Sequence, residues 1–392
     1  MQSNKELSTF TLLLLISFPG VNAVLFTPAL PDLAHFFAIT SDAAQQTITL
    51  FLVGYAFGQL LYGPLANRFG RKPAMFGGIV LQIIGSLLCV ASGLMHAFSL
   101  LVASRFLLAL GSGVGLNLTF TMVNEHYHPD VARKKMSYLI MAFAIMPGVG
   151  VALGGLLNRY SGWIACFYAG ALYGLLLLVL VSRLPETAKT LNREALTFTN
   201  LRRGYGCQFK NPRLIAGGLV MGFAGACLYV FAAEAPFVAI QLYGQSSSEY
   251  GFANLLPSVG LLAGSLFSAS YSVSNTGRAA IRLGLTLKLA SGLILLLAGF
   301  VFHSAWLAIF VPMILLYFST AFIFANASSV AMHEVADISN ASAVMSFINM
   351  GLVTLIVLSL QFYPTSSHLM PILFIFFACA SSAVYYRWLR CP

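Results

Sequence analysis

Three ionisable side chains stand inside long apolar runs of this chain, where a charge is expensive and marks a site by default. Arg105 interrupts the run 98–122, Glu234 the run 213–238 and Lys288 the run 279–301. A guanidinium stays charged and has only donors. Arg105 is therefore either a functional buried charge or, being near the outer end of its run, reaches the headgroups. A buried carboxyl such as Glu234 can exchange a proton or bind a cationic cargo; at the outer rim it would simply be solvated. Lys288 either snorkels inward or offers an ammonium to an anionic cargo. Glu125 with His126 and His128 ends the Arg105 run, and Glu334 with His333 ends the run 305–328. They read as a proton gate, with histidine titrating near neutrality, or as caps and loop contacts. Arg105, Glu234, Glu125 and Glu334 are thus the candidates for proton coupling.

The other candidates are uncharged. Asn22, Tyr55, Gln59, Asn117, Tyr138, Tyr229, Asn254, Asn326 and Asn349 stand on apolar stretches. With Lys288 they could line a binding cavity, or each could serve as glue between helices. The 32 Phe residues suit an apolar or amphipathic cargo as well as lipid. No paired carboxylates, catalytic triad or metal-spaced His/Cys cluster is present, so neither an enzyme nor a cofactor or metal is expected. The six Cys are scattered and mostly apolar in setting, where Cys behaves as a small hydrophobe. No G-x-x-x-x-G-K-[ST] loop offers ATP as a drive.

These side chains must be held by helices whose solvent is lipid. The chain has 392 residues, 59% hydrophobic and 8% charged; a soluble domain carries about 25% charged residues. Apolar runs of span length recur at 8–28, 45–66, 73–93, 98–122, 136–157 and 162–182. After the polar break 183–212 they resume at 213–238, 250–271, 279–301, 305–328, 341–363 and 369–389. With the N-terminus inside, the loop Lys and Arg residues fall inside, except Arg159. That bias satisfies the positive-inside rule and predicts both termini in the cytoplasm. Dispersed over alternate loops, the +10 formal charge forms no single patch, so a nucleic-acid partner is not expected.

The two sets of six spans repeat. Pro28, Asp42 and Gly58 match Pro236, Glu249 and Gly264; Gly70-Arg71 matches Gly277-Arg278; Glu125 matches Glu334. An offset held between 206 and 209 residues argues for a parallel duplication. The expected fold is an all-α membrane protein of twelve transmembrane helices: a six-helix half at 1–182, a cytoplasmic linker at 183–212, and a second half at 213–392.

Between spans 2 and 3 stands Gly63-Pro64-Leu65-Ala66-Asn67-Arg68-Phe69-Gly70-Arg71-Lys72-Pro73. Gly63 would let helices approach closely, and Gly70 permits a tight turn. The stretch resembles the loop signature G-x-L-x-D-R-x-G-R-K of the major facilitator superfamily, with Asn67 replacing the family's acid. In the family that acid caps and pairs with the neighbouring half, so the latch is expected to be altered here. Arg105-Phe106-Leu107-Leu108-Ala109-Leu110-Gly111 resembles the R-F-x-Q-G-x-G element of its proton antiporters. Pro147-Gly148-Val149-Gly150-Val151-Ala152-Leu153-Gly154-Gly155 resembles their span-5 signature, without its second Pro. Pro147, Gly150 and Gly154 would there shape a hinge between halves. Phe26-Thr27-Pro28-Ala29-Leu30-Pro31, Gly58-Gln59-Leu60-Leu61-Tyr62-Gly63-Pro64, Gly162-Trp163 and Leu184-Pro185-Glu186-Thr187 resemble segments of the Bcr/CflA (bicyclomycin/chloramphenicol resistance) transporters.

The resemblance implies a monomeric secondary transporter of the inner membrane. It would move a small organic molecule by alternating access, with proton-coupled efflux as the expected mode. The departures at Asn67, and at Val24 and Leu25 where relatives often carry an acid, keep two alternatives open. One is proton-coupled uptake of a metabolite or siderophore; the other is a sensor derived from a transporter.

Overall fold

In lipid every backbone polar group must be satisfied internally, so apolar runs of about 20 residues become helices. The computed structural model describes residues 6–188, 190–301, 307–333, 335, 338–360, 362 and 369–389. Among them are twelve helical spans long and apolar enough to cross a membrane. Spans 1 to 6 are Thr9–Phe36, Ser41–Phe69, Arg71–Leu94, Phe98–His126, Tyr138–Ser161 and Ile164–Ser182. Spans 7 to 12 are Pro212–Leu242, Ser247–Tyr271, Gly277–Gly299, Ala308–Ala331, Asn340–Leu360 and Leu369–Leu389. The polar break at 183–212 also holds a helix, Phe198–Gln208. Its mean hydropathy is too low for periodicity of the apolar kind to announce it.

Local chemistry sets the ends. Asn211 caps span 7 by accepting from the Arg213 and Leu214 amides, and Ser246 with Glu249 forms a capping box at span 8. Thr40 caps the start of span 2, with Asp42 in its first turn. The repeat partners Asp42 and Glu249 both lie in the first turn of their helix, but only Glu249 closes a capping box. Gly70, at φ 106°, separates spans 2 and 3.

The duplication is visible in the packing. Span 1 packs on 5, 2 on 4, and 3 on 4 and 6; span 7 packs on 11, 8 on 10, and 9 on 10 and 12. A Cβ on Gly54 would overlap the Phe106 carbonyl, and one on Gly260 the Ile314 carbonyl. Gly58 meets the Leu110 carbonyl and Gly264 the Phe318 carbonyl in the same way. Each glycine pair is separated by 206 residues, so the crossing of spans 2 and 4 is repeated by 8 and 10. Between halves, span 2 packs on 11 and span 5 on 8. Spans 3, 6, 9 and 12 are peripheral: Val80, Ile84 and Leu87, Leu172, Leu176 and Val179, Leu293 and Leu297, and Ile372 and Phe376 form exposed apolar stripes. Such stripes at helical spacing are the lipid face.

Candidate functional site

Two adjoining cavities of about 110 and 130 Å³ lie between the halves. Both are lined by Gly20, Phe143 and Tyr229. Asn254, Tyr250, Tyr317, Thr27 and Ser258 add polar groups to one; Tyr55, Gln59, Asn349 and Ser346 to the other. Among the described residues no charged side chain lines either. Of the residues singled out in the sequence, Tyr55, Gln59, Tyr229, Asn254 and Asn349 are therefore on the cavity. Asn117 is tied to Gln59, its amide donating to Oε1 at 2.9 Å. Asn22 instead accepts from Gln82 Nε2 at 2.8 Å, and Asn326 donates to Ser268 Oγ at 3.0 Å. These two are glue between helices. Tyr138 is 49% exposed on the outside of the bundle, so it does not line the cavity.

Arg105 does not reach the headgroups: it is 1% exposed. Its guanidinium donates to the carbonyls of Asn22 at 3.0 Å, Ala23 at 3.3 Å and Thr47 at 3.2 Å. The rings of Phe26 and Phe51 stand 4.1 and 4.4 Å from Cζ. Span 1 leaves α-helical geometry at Leu25 and continues as a 3-10 turn over Thr27–Ala29, which frees carbonyls for this use. Burying an arginine in a span costs about 3 kcal/mol on an insertion scale. Each charge-assisted hydrogen bond offsets about 1.5 to 3 kcal/mol, so three bonds and two ring faces outweigh that cost. Arg105 thereby clamps the middle of span 1 to the far third of span 2.

Glu234 is not solvated at a rim either; it is fully buried. Gln45 Nε2, from the other half, donates to its Oε1 at 2.8 Å. Phe231, three residues earlier on span 7, lines a central cavity. Phe237, three residues later, lines an open depression of about 520 Å³ that also holds His35 and Asp42. Two more bonds join the halves near this depression. Asn158 donates to Ser247 Oγ at 2.9 Å while also donating to Asp32, and Arg159 donates to Ser248 Oγ at 3.0 Å.

Lys288 neither snorkels nor lines the cavities. It is fully buried behind the cavity wall, with Nζ donating to the Ala224 carbonyl at 2.8 Å and Thr320 Oγ1 at 2.9 Å.

The opposite, basic end holds the loop signature. Arg71 pairs with Glu125 at 2.6 Å, and Thr187 Oγ1 donates to the same carboxylate at 2.8 Å. Glu125 is thus placed among loop contacts and far along span 4 from Arg105. Its repeat partner Glu334 lies outside the described residues. Glu186 accepts from the Arg71 and Lys72 amides, both at 3.0 Å, and so caps span 3. Asn67 and Arg68 are exposed; the Asn67 carbonyl accepts from the Asn192 amide at 2.9 Å. Gly63 serves no close helix crossing: the Tyr205 hydroxyl, 4.0 Å from an added Cβ, is its nearest neighbour.

The glycines of span 5 divide between two faces. A Cβ on Gly154 would overlap the Leu25 carbonyl, and Gly150 meets Val21, so both pack on span 1 of the same half. Pro147 packs against Gly20 and lines the cavity. The close approach between halves is made instead by Gly148 against Ser258 and Gly155 against the Ser247 carbonyl.

The profile of the Major Facilitator Superfamily matches residues 11–359. The chain belongs to this superfamily. It is a multi-pass membrane transporter and not an enzyme. A bicyclomycin resistance protein homolog of Haemophilus influenzae is 26% identical over 308 residues, covering 77% of each chain. The multidrug transporter MdfA of Escherichia coli O157:H7 is 30% identical over 244 residues, 62% of this chain and 58% of that one. The crystal structure of a D-xylose-proton symporter superposes with a TM-score of 0.77 at 16% identity, covering 98% of this chain and 97% of the symporter. At that identity it establishes the shared fold.

Gln45, Gln82, Asn158, Tyr250 and Tyr317 were not among the residues singled out from sequence. A Gln within an apolar run was a usable signal for Gln82. Gln45 and Asn158 sit at span ends among other polar residues, where nothing distinguishes them.

Proposed function

We propose that this transporter exports a small amphipathic organic molecule across the inner membrane by alternating access, in exchange for protons. The basic end faces the cytoplasm, as do both termini. The protein works as a monomer, with 1–182 and 213–392 rocking about the linker 183–212. Glu234 is the proton-carrying residue, and the observation that carries this is its position. It is buried between the halves, one helical turn from the central cavity and one turn from the far-end depression. A carboxyl there meets the far-side solution when the halves part and is sealed when they close. A cavity of Tyr and amide groups without a charged side chain suits an uncharged or delocalised cargo. The named resistance and multidrug relatives support outward movement.

The test uses bicyclomycin as first probe, in inside-out and right-side-out vesicles. Uptake into inside-out vesicles that collapses with the proton gradient is expected. Glu234→Gln should abolish this driven uptake while exchange at equal concentrations survives, since exchange moves no net proton. Driven transport of normal rate and pH dependence in Glu234→Gln would remove Glu234 from the proton path.

A further inference from the structure

Lys288 is the buried ionisable group that neither the cavity nor the far-end contacts employ. Its partners are informative. Nζ donates to the Ala224 carbonyl on span 7 and to Thr320 Oγ1 on span 10. The Thr320 hydroxyl spends its own proton on the Leu316 carbonyl, at 2.8 Å, so toward Lys288 it can only accept. A neutral amine has two N–H bonds, and both are taken. An ammonium has three, and the described residues offer no third acceptor within hydrogen-bond distance. No carboxylate lies within ion-pair reach of it among them.

On span 7, Cys227 stands three residues from the Ala224 acceptor, and its thiol is turned to the Phe223 carbonyl. On its own span, Arg282 and Arg278 lie six and ten residues away toward the basic end. The pocket as built therefore fits lysine without its extra proton.

The repeat sharpens this. The 206-residue offset that relates Gly78 to Gly284, both packed on the following span, puts Gln82 at the place of Lys288. Gln82 Nε2 donates to Asn22 Oδ1, Ser86 Oγ and the Gly170 carbonyl. One half thus carries an amide that cannot titrate, and the other a group that can. The two acceptors of Lys288 belong to the spans that give the cavities Met221, Leu228 and Tyr229, and Tyr317 and Phe324. Movement of either wall changes the amine's surroundings.

We infer that Lys288 is a second proton-exchanging site, neutral when spans 7 and 10 are closed around it and protonated when they part and admit water. One proton is taken from the cavity water on opening and returned to it on closing. This rests on the proton-coupled reading above, but it is tested without cargo, so failure of the flux assay and failure here are separable.

The experiment places nitroxide labels at positions 160 and 242, exposed ends of spans 5 and 7. It follows their separation between acidic and alkaline pH in lipid nanodiscs. In the Glu234→Gln background a pH-dependent shift should persist, and adding Lys288→Gln should erase it. Glutamine keeps two N–H donors, and Gln82 shows that the repeat accommodates it; Lys288→Met serves as a second neutral variant. Lys288→Arg, charged at all pH, should hold the labels at the acidic-pH separation throughout. A shift that survives both neutral variants overturns the inference. So does the absence of any shift in Glu234→Gln alone.

Discussion

At the far end hydrogen-bonding side chains reach from one half to the other, whereas the polar contacts described at the basic end lie within the first half and its linker. The second half is met there by the rings of Phe57 and Phe209 on Phe347. At the far end Gln45 meets Glu234, Asn158 meets Ser247 and Arg159 meets Ser248. At the basic end the Arg71–Glu125 pair and the Glu186 cap stay inside the first half and its adjoining linker. The linker then docks through Tyr205 on the Leu60 carbonyl and Asn192 on the Asn67 carbonyl. In the rocking proposed above, the first set breaks and the second can stay whole. On that reading control of opening belongs at the far end, and the loop signature holds the start of span 3.

The comparison is broken most severely at its base. Arg105 fixes carbonyls in the middle of span 1 and the far third of span 2. Arg105→Ala should abolish driven transport in vesicles while the protein still inserts at normal level. Arg105→Lys should not rescue it, because a single ammonium cannot span three carbonyls from two helices in the fork geometry. Normal flux in Arg105→Ala would demote the clamp to passive packing.

Glycines provide the next contrast. Gly154→Ala forces a methyl into the Leu25 carbonyl, and overpacking of this kind costs about 1 to 3 kcal/mol. Gly63→Ala meets only the Tyr205 hydroxyl, 4.0 Å away, and should leave stability within about 0.5 kcal/mol. Thermal unfolding of the two purified variants measures the difference. Equal midpoints would contradict the assigned packing.

At the far end itself, Asn158→Ala removes a bond to Ser247 and one to Asp32. Only the Ser247 bond joins the halves, so at about 1 kcal/mol for one net bond the open state should gain roughly fivefold in population. Reaction of a cysteine placed at Leu242, exposed by the far-end mouth, with a membrane-impermeant maleimide should speed up accordingly. An unchanged rate would mean that Asn158 is not part of the seal.

Much of this was legible in the sequence, for physical reasons. Lipid as solvent forces apolar runs into helices, so the spans and the repeat could be read from hydropathy and spacing. Arg105 and Glu234 stood out because charge in such runs is costly. Their partners were not legible: the Arg105 acceptors are backbone carbonyls, which any sequence supplies. Gln45 is an ordinary polar residue at a helix start. The nine polar residues on apolar spans differ only in which way each helix is rotated, so Tyr55 faces the cavity and Tyr138 the outside. The helix Phe198–Gln208 was hidden because it follows no apolar run.

The smallest expected effect concerns Asn67. The family's acid at this place invites the expectation that Asn67→Asp restores a latch and shifts the balance of open states. Asn67 is exposed, and its described contact is through the backbone carbonyl to Asn192. Glu186 already supplies a carboxylate to the first amides of span 3, the charge a helix N-terminus favours. A second acid nearby would add a screened surface interaction of about 0.5 kcal/mol or less. Asn67→Asp should therefore leave transport rate and stability almost unchanged. Glu186→Gln, which weakens both amide contacts, should lower stability by about 1 kcal/mol. Measured side by side, a larger effect from Asn67→Asp than from Glu186→Gln would mean that the latch acts through position 67 after all. The basic end would then share control of opening with the far end.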